Sequence, residues 1–362
     1  MTPAGFARTG PGVGAALRPR AGEDIIATSA PLQPWTHGSA PQGAAAGLIR
    51  GHWIVAGLSV SAMLIMILLH AARLGVAAGG PGAVAALLWL TMTGWVAYAY
   101  RHPTSRRERI ARDAAEYFGV MVAVTLFGIV ASYAVAAQSV GYVDTELSWI
   151  DSQLGFDWNG WYAFVIAHPV ARVLGRIAYG NIYLSPAILL AWYALTGRKR
   201  EARMFITAVW LSVVLTLVAF VLIPAQGPLA ATWQGPIPYM PSSALYQAEL
   251  IPQLRSHGLQ QIHVEALQGV VCAPSFHAAS GVLFIAAGWR AGPLRWPMLA
   301  LNAMMLLATP VEGTHYLIDI IMGAVVAMVA IGMTRLLVHR LCPARARARG
   351  PIPEAQPLTP NR

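Results

Sequence analysis

Two histidines and an aspartate occupy the ends of apolar segments in the last third of the chain: His277, His315 and Asp319. Ionisable side chains are costly in such segments unless they have a function. Because His315 and Asp319 are four residues apart, we expect both to lie on one face of a helix, one turn apart. A carboxylate there can accept a hydrogen bond from one imidazole nitrogen and raise the basicity of the other. His315 is therefore a candidate nucleophile towards phosphorus.

Residues next to these three are expected to begin helices and so to bind an anion. Gly313 and Thr314 are predicted to open the helix of the second histidine, where free backbone N–H groups and the positive end of the helix dipole would face a phosphate. Ser275 is predicted to open the preceding histidine's helix in the same way and to add a hydroxyl donor. His277, one turn in, is then a candidate general acid for the leaving oxygen. Glu312 is interpreted as exposed in a loop rather than as a second acid.

The composition is that of an all-α integral membrane protein. Of the 362 residues, 56% are hydrophobic and only 11% are charged, whereas a soluble protein has about 25% charged residues. Several apolar segments approach about 20 residues, the length that spans a bilayer as a helix. About eight transmembrane helices are predicted, near residues 53–74, 83–100, 115–137, 177–196, 204–223, 274–290, 296–311 and 315–338.

The distribution of basic residues orients these helices. If the amino terminus is cytoplasmic, all but four of the 25 basic residues lie on the inner side. The exceptions are Arg73, Arg172, Arg176 and Arg255. The positive-inside rule therefore predicts that both termini are cytoplasmic in a bacterial inner membrane, with the histidine and aspartate site on the outer, periplasmic side. Arg172 and Arg176 precede the fourth predicted helix by one turn, and phosphate contact and lipid headgroup contact are equally good interpretations of them.

Other classes of protein and site find less support. The net charge of +10 comes mostly from short loops, which indicates topology and lipid headgroup contact rather than nucleic-acid binding. Cys272 and Cys342 are too few for a disulfide framework. We find neither a zinc-binding pattern nor a P-loop and expect no metal or other cofactor; a haem or metal site at the two histidines would lack any ligand pattern. Residues 1–50 and 339–362 are predicted to be disordered tails.

Two motifs in the C-terminal third carry a family resemblance. Pro274-Ser275-Phe276-His277 and His315-Tyr316-Leu317-Ile318-Asp319 resemble the P-S-x-H and S-R-x5-H-x3-D signatures of the phosphatidic acid phosphatase type 2 superfamily, which comprises lipid phosphatases and phosphotransferases with a six-helix core. The resemblance places a catalytic core at residues 115–338 and leaves two N-terminal helices and a basic loop, 51–114, outside it. Gly313-Thr314-His315-Tyr316 and the run from Asp144 to Trp158 are most similar to the inositol-phosphorylceramide synthase branch.

The resemblance implies roles for the three ionisable residues. His315 would attack phosphorus and carry a phospho-enzyme intermediate, and Asp319 would orient it. His277 would protonate the leaving group and then activate the acceptor, either water or an alcohol.

The chain departs from the family pattern at the arginines that hold the phosphate. The S-R pair falls on Ala308 and Thr309, and the K-x6-R-P signature is replaced by a proline-rich turn at 224–228. The phosphate contacts are then left to backbone N–H groups and to Ser275, Gln226, Gly227, Arg172 and Arg176.

The leading hypothesis is a membrane phosphotransferase or phosphatase that acts on a lipid-linked phosphate at the outer face. Its partners would be membrane lipids, a lipid phosphate donor, and a polyol such as inositol, or water, as acceptor. A lipid phosphate or polyprenyl diphosphate phosphatase is the alternative within this class. A non-enzymatic transporter with the histidines and aspartate as a proton relay is the alternative outside it. The sequence does not indicate an oligomeric state.

Overall fold

The computed structural model describes residue Ile49 and residues 51–341. The predicted tails therefore lie outside the described residues, except for Ile49 and for the last helix, which continues to Leu341. The structure is about 75% helical, with a single pair of two-residue parallel strands in the part described. This confirms the all-α membrane class at the level of the fold.

The elements follow one another in this order within the described residues. They are α1 (Gly51–Ala71), β1 (Gly75–Val76), α2 (Pro81–Ala99), α3 (Arg106–Gln138), α4 (Asp144–Gln153), α5 (Trp158–Ala167), α6 (Pro169–Tyr179), α7 (Asn181–Thr196), α8 (Lys199–Leu222), α9 (Pro228–Ala231), α10 (Tyr246–Arg255), β2 (Gln261–Ile262), the 3-10 helix η1 (Val264–Ala266), α11 (Phe276–Arg290), α12 (Arg295–Glu312) and α13 (Leu317–Leu341).

Helices occur at every predicted membrane-spanning position. Five of those described, α1, α2, α3, α8 and α13, are long and apolar enough to cross a bilayer, and α6 with α7 would make a sixth. These two bend by 42° across Gly180. At the other two predicted positions, α11 has 15 residues and is too short, whereas α12 has 18 residues but is not apolar enough. The count of about eight spans stays a prediction.

The polar segments that separate the predicted spans are folded rather than extended loops. The first, 138–176, contains α4, α5 and most of α6, and the second, 224–273, contains α9, α10 and η1. The strand pair ties the connection between α1 and α2 to this second segment. Trp158 at the start of α5 is buried and donates a hydrogen bond from Nε1 to the Pro310 carbonyl oxygen, 2.7 Å away. The first segment is thereby anchored on the end of α12.

The helices of the C-terminal half enclose the main apolar core. α11 packs against α8, α12 and α13, and Phe205, Phe284 and Met305 are among the buried side chains between them. Gly323 allows the close approach of α13 to α11, because a Cβ atom there would overlap the Ser275 carbonyl oxygen. The packing brings the start of α13 beside the start of α11.

The two ends of this bundle differ in chemistry. At one end, Arg203 contacts Glu116 at 2.5 Å and Lys199 contacts Glu116 at 3.0 Å. At the other end, α8 and α12 finish where α11 and α13 begin, with α4 and α5 packed over them. Asp319 and Arg335 lie near opposite ends of α13, about 24 Å apart at 1.5 Å per residue. The ionisable residues with candidate chemistry lie at the end away from most of the basic side chains.

Candidate active site

His315 and Asp319 meet at the junction of α12 and α13. Nδ1 of His315 lies 3.5 Å from Oδ2 of Asp319, and both side chains are buried. The two residues do not share a helix face, however, because α12 ends at Glu312 and α13 begins only at Leu317. Asp319 lies in the first turn of α13, and His315 belongs to the connection before it. The contact was therefore predicted, but the conformation that makes it was not.

The turn before His315 explains this difference. Thr314 has a φ of +49°, in the left-handed region that a right-handed helix excludes and that costs a β-branched residue about 1–3 kcal/mol. The prediction that Gly313 and Thr314 open a helix is therefore wrong, since they form the turn that follows α12. Gly227 packs against this turn with a φ of +93°, and a Cβ atom on it would lie only 2.6 Å from the Thr314 carbonyl oxygen. Strain of this kind clusters at functional sites.

His277 lies in the first turn of α11 and stacks on Tyr179 of α6. The ring centroids are 3.9 Å apart and the planes differ by 13°. The Tyr179 hydroxyl lies 3.1 Å from Nδ1 of His277. Tyr179 was not identified from the sequence, because nothing local marks a tyrosine that comes from a helix about a hundred residues away.

Ser275 joins the starts of α11 and α13. Its hydroxyl accepts a hydrogen bond from Ala278 N at 3.3 Å, which makes it the N-cap of α11. Its own backbone N–H donates to the Asp319 carbonyl oxygen at 3.0 Å. The backbone N–H groups of Phe276 and His277 have no hydrogen-bond partner among the described residues. This helix start therefore keeps donors that an anion can use.

The start of α13 is occupied in a different way. The Asp151 carboxylate, on α4, accepts hydrogen bonds from Leu317 N at 2.7 Å and from Ile318 N at 2.9 Å. The prediction that free N–H groups at this helix start face the phosphate is therefore wrong. Burial raises the pKa of Asp151, the two N–H donors oppose that rise, and the charge of Asp319 adds to it.

A second carboxylate from α4 holds the turn after α8. Asp144 accepts hydrogen bonds from Gln226 N at 3.0 Å and from Gly227 N at 2.9 Å, so these two predicted phosphate donors already have a partner. Asp144 also accepts a hydrogen bond from the Tyr316 hydroxyl at 3.1 Å. Burial raises the pKa of Tyr316, and the charge of Asp144 raises it further. Asp144 thus connects the 226–227 turn to the residue that follows His315.

Cys272 lies beside the histidine and aspartate pair. Its Sγ is 3.3 Å from Oδ2 of Asp319 and 3.9 Å from Nδ1 of His315. Burial raises the pKa of this thiol well above its usual range, and the charges of Asp319 and Asp144 add to the rise. The sequence offered only the proximity of Cys272 to the P-S-x-H motif as a signal.

Glu312 is buried, contrary to its interpretation as an exposed loop residue. It accepts hydrogen bonds from the Tyr239 hydroxyl and from Ser242, whose backbone N is 3.0 Å and whose Oγ is 2.6 Å away. The reason is long-range, because the 239–243 segment folds over the end of α12 and Ser243 N donates to the Glu312 carbonyl oxygen at 2.9 Å. Burial raises the pKa of Tyr239 to about 12, and Glu312 contributes to the rise.

Arg172 and Arg176 lie on α6 against this cluster. Their guanidinium groups are 5.8 and 5.2 Å from the Tyr239 ring centroid, and Arg176 donates to the Met240 carbonyl oxygen at 2.9 Å. Nε of Arg172 is buried without a hydrogen-bond partner among the described residues. Tyr179, which contacts His277, lies one turn beyond Arg176 on the same helix face. Both arginines are therefore neighbours of the candidate site, and both interpretations of them stay open.

A cavity of about 380 Å³ opens beside Tyr316. It lies between α4, the start of α5 and the segment after α9. Its polar lining residues are Ser148, Asp151, Ser152, Asp157, Asn159, Thr232 and Tyr316.

Comparison with known proteins identifies the family. No curated protein and no solved structure matches the chain. A family model described as the PAP2 superfamily matches residues 145–333, which include α4 after Asp144, the cavity, both motifs and most of α13. Because this match covers more than half of the chain, the protein belongs to the PAP2 superfamily, whose members are phosphatases and phosphotransferases that act on phosphate esters.

Proposed function

We propose that the protein is a membrane phosphotransferase that acts on a lipid-linked phosphate through a phosphohistidine intermediate at His315. The observation that carries the proposal is the buried contact between His315 and Asp319, 3.5 Å apart, with His277 at the adjoining helix start. The distance exceeds that of a good hydrogen bond. Catalytic contacts commonly tighten when substrate binds.

In the first step, Nε2 of His315 attacks phosphorus while Nδ1–H is held by the Asp319 carboxylate. The bond between phosphorus and the leaving lipid oxygen breaks, and His277 gives that oxygen a proton. The Tyr179 hydroxyl supports this assignment, because its oxygen can accept a hydrogen bond from Nδ1–H of the protonated His277 and leave the Nε2 proton for the leaving oxygen. The products are a phosphorylated His315 and a lipid alcohol.

In the second step, the roles reverse. Nε2 of His277, now without its proton, takes one from the acceptor hydroxyl, and the acceptor oxygen attacks the phosphorylated histidine. The bond between phosphorus and His315 breaks, and the free imidazole returns.

The phosphate oxygens would be held by donors at the start of α11. The free N–H groups of Phe276 and His277 and the Ser275 hydroxyl support this location, whereas the donors of Gln226, Gly227 and the α13 start already serve carboxylates. Arg172 and Arg176 would supply positive charge from α6. That helix also exposes apolar side chains, among them Val170, Val173 and Ile177, which suits contact with the lipid chains of a substrate.

The group transferred with the phosphate is proposed to be a polyol headgroup, with inositol as the first candidate and a lipid alcohol as the acceptor. Hydroxyl, amide and carboxylate groups line the cavity beside Tyr316, and such groups pair with the hydroxyls of a polyol. The similarity of residues 144–158 to the inositol-phosphorylceramide synthase branch favours the same class. We propose that the site lies on the outer face of a bacterial inner membrane, because most of the basic residues in the described part of the chain lie at the other end of the bundle.

The test uses the full-length protein in phospholipid vesicles that contain phosphatidylinositol labelled in its headgroup phosphate and a lipid alcohol. Wild type should form a labelled lipid product and an acid-labile phospho-enzyme, and His315→Asn should form neither. His263→Asn is the matched control, because that histidine is largely exposed and contacts Glu265. Release of free phosphate or inositol phosphate without a new lipid would indicate a hydrolase. Unchanged turnover in His315→Asn would contradict the mechanism.

A further inference from the structure

Cys272 has no part in the proposed reaction, yet its thiol lies beside His315, the proposed nucleophile, and Asp319, which would orient it. The ligand atoms of Cys272, His315 and Asp319 all lie within 4.8 Å of one another. All three side chains are buried. Oδ1 of Asp319 has no hydrogen-bond partner among the described residues. The cluster therefore combines a thiol, an imidazole and a carboxylate that is incompletely paired.

The separations match a tetrahedral zinc site. With Zn–S bonds of about 2.3 Å and Zn–N or Zn–O bonds of about 2.0–2.2 Å, tetrahedral neighbours lie about 3.3–3.6 Å apart. The measured values are 3.3 Å from Sγ to Oδ2, 3.5 Å from Nδ1 to Oδ2 and 3.9 Å from Sγ to Nδ1. Shifts of a few tenths of an ångström in these side-chain atoms would bring all three distances to those of a tetrahedral zinc site.

The charges around the cluster also suit a cation. The negative charges of Asp319 and Asp144 both lie close enough to Cys272 to interact with its sulfur electrostatically. No lysine or arginine of the described chain contacts either carboxylate. A thiol, an imidazole and a carboxylate form a donor set that Zn²⁺ accepts, with a fourth position left for water. Hard cations such as Mg²⁺ prefer oxygen ligands instead.

We propose that Cys272, His315 and Asp319 form a binding site for Zn²⁺, and that its occupation is incompatible with phosphoryl transfer. Binding forms Zn–S, Zn–N and Zn–O bonds, releases the thiol proton to solvent, moves the imidazole proton of His315 from Nδ1 to Nε2, and involves no change of oxidation state. It replaces the contact of Nδ1 with Asp319 by bonds to the metal and leaves Nε2 protonated, so that Nε2 has no lone pair with which to attack phosphorus. The loss of activity rests on the function proposed above, whereas the binding itself does not.

Binding is tested on full-length, metal-stripped protein in detergent micelles, without any substrate. Bound Zn²⁺ is counted by elemental analysis, and Co²⁺ serves as the visible probe because zinc has no such spectrum. Wild type and Cys342→Ser should each bind one Zn²⁺ and give a thiolate-to-Co²⁺ absorption band. Cys272→Ser should lack the band and bind Zn²⁺ at least about tenfold more weakly. Equal binding in wild type and Cys272→Ser would overturn the site.

Inhibition is tested separately, with each variant's activity taken relative to its own metal-free value. One equivalent of Zn²⁺ should block phospho-enzyme formation in wild type, a chelator should restore it in the same sample, and Mg²⁺ should have no effect. Half-inhibition of Cys272→Ser should need at least about tenfold more Zn²⁺. If Cys272→Ser does not fold, the Co²⁺ band of wild type and of Cys342→Ser still tests the site, and the reversal by chelator still tests the inhibition. A bound metal with full activity would overturn the incompatibility, and an inactive metal-free protein would refute the proposed function while leaving the binding result intact.

Discussion

Replacing Asp151 by asparagine should loosen the start of α13 and slow the reaction. The carboxylate accepts two backbone hydrogen bonds, from Leu317 at 2.7 Å and from Ile318 at 2.9 Å. These two residues lie between His315 and Asp319. An asparagine has the same size but only one acceptor oxygen, so its amide would place a donor against one of the two N–H groups. The helix start would lose both a partner and a negative charge.

The magnitude follows from these contacts. A hydrogen bond to a charged group contributes about 1.5–3 kcal/mol, and a charge at a helix start contributes about 0.3–2 kcal/mol. The cost of burying the Asp151 carboxylate, seen in its raised pKa, returns part of the loss. If about 2 kcal/mol is lost from the active arrangement, kcat falls about 30-fold. KM for the lipid alcohol should change little, because the cavity that Asp151 lines is proposed to hold the polyol headgroup and not this acceptor.

The assay is labelled lipid transfer in vesicles, together with thermal unfolding in detergent. Glu146→Gln is the matched control, because it removes the same charge from an exposed position on the same helix. It should keep the kcat and unfolding midpoint of wild type. An Asp151→Asn variant with the kcat of Glu146→Gln would refute the reasoning. So would a lower unfolding midpoint with no change in kcat, because Asp151 would then support the fold alone.

Two further predictions follow from the same region. Tyr179→Phe keeps the stack on His277 but removes the hydroxyl 3.1 Å from Nδ1, so kcat should fall about tenfold with KM nearly unchanged; a variant with the pH–rate profile of wild type would contradict this role. Asp151 has a raised pKa in the folded protein, so its contribution to the free energy of unfolding is greatest below the unfolded pKa and is lost as the pH rises through the folded value. As the pH is lowered from about 7 to about 4, the unfolding midpoint of wild type should therefore rise relative to that of Asp151→Asn. A difference that stays constant or changes in the opposite direction would contradict the assignment.

Some features of the site could be predicted from short stretches of sequence. His315 and Asp319 were expected to meet, and they lie 3.5 Å apart. The predicted contact is present although the predicted conformation is not. A separation of four residues brings two side chains together within a helix, and it also does so where a turn leads into the first turn of a helix. Ser275 was expected to open α11, and it is the N-cap residue there.

Other predictions about the site were wrong for a common reason. Gln226 and Gly227 were expected to contact the phosphate, and the start of α13 was expected to offer it free N–H groups. The backbone N–H groups at these positions donate instead to carboxylates from α4. Glu312 was expected to be exposed, but the 239–243 segment covers it. Each error concerns a partner distant in sequence, and no local pattern reports such a partner.

The amino-acid sequence by itself determined the helical membrane class, the positions of the long helices and the identity of the candidate reactive side chains. These are local properties, since apolar length and the chemistry of a side chain do not depend on what packs beside them. Only the tertiary structure decided which hydrogen-bond donors stay free, because Asp144 and Asp151 reach donors more than eighty residues away. It also placed the thiol of Cys272 beside the imidazole of His315 and the carboxylate of Asp319. The distribution of donors and charges that a phosphate or a metal ion meets is set by that packing.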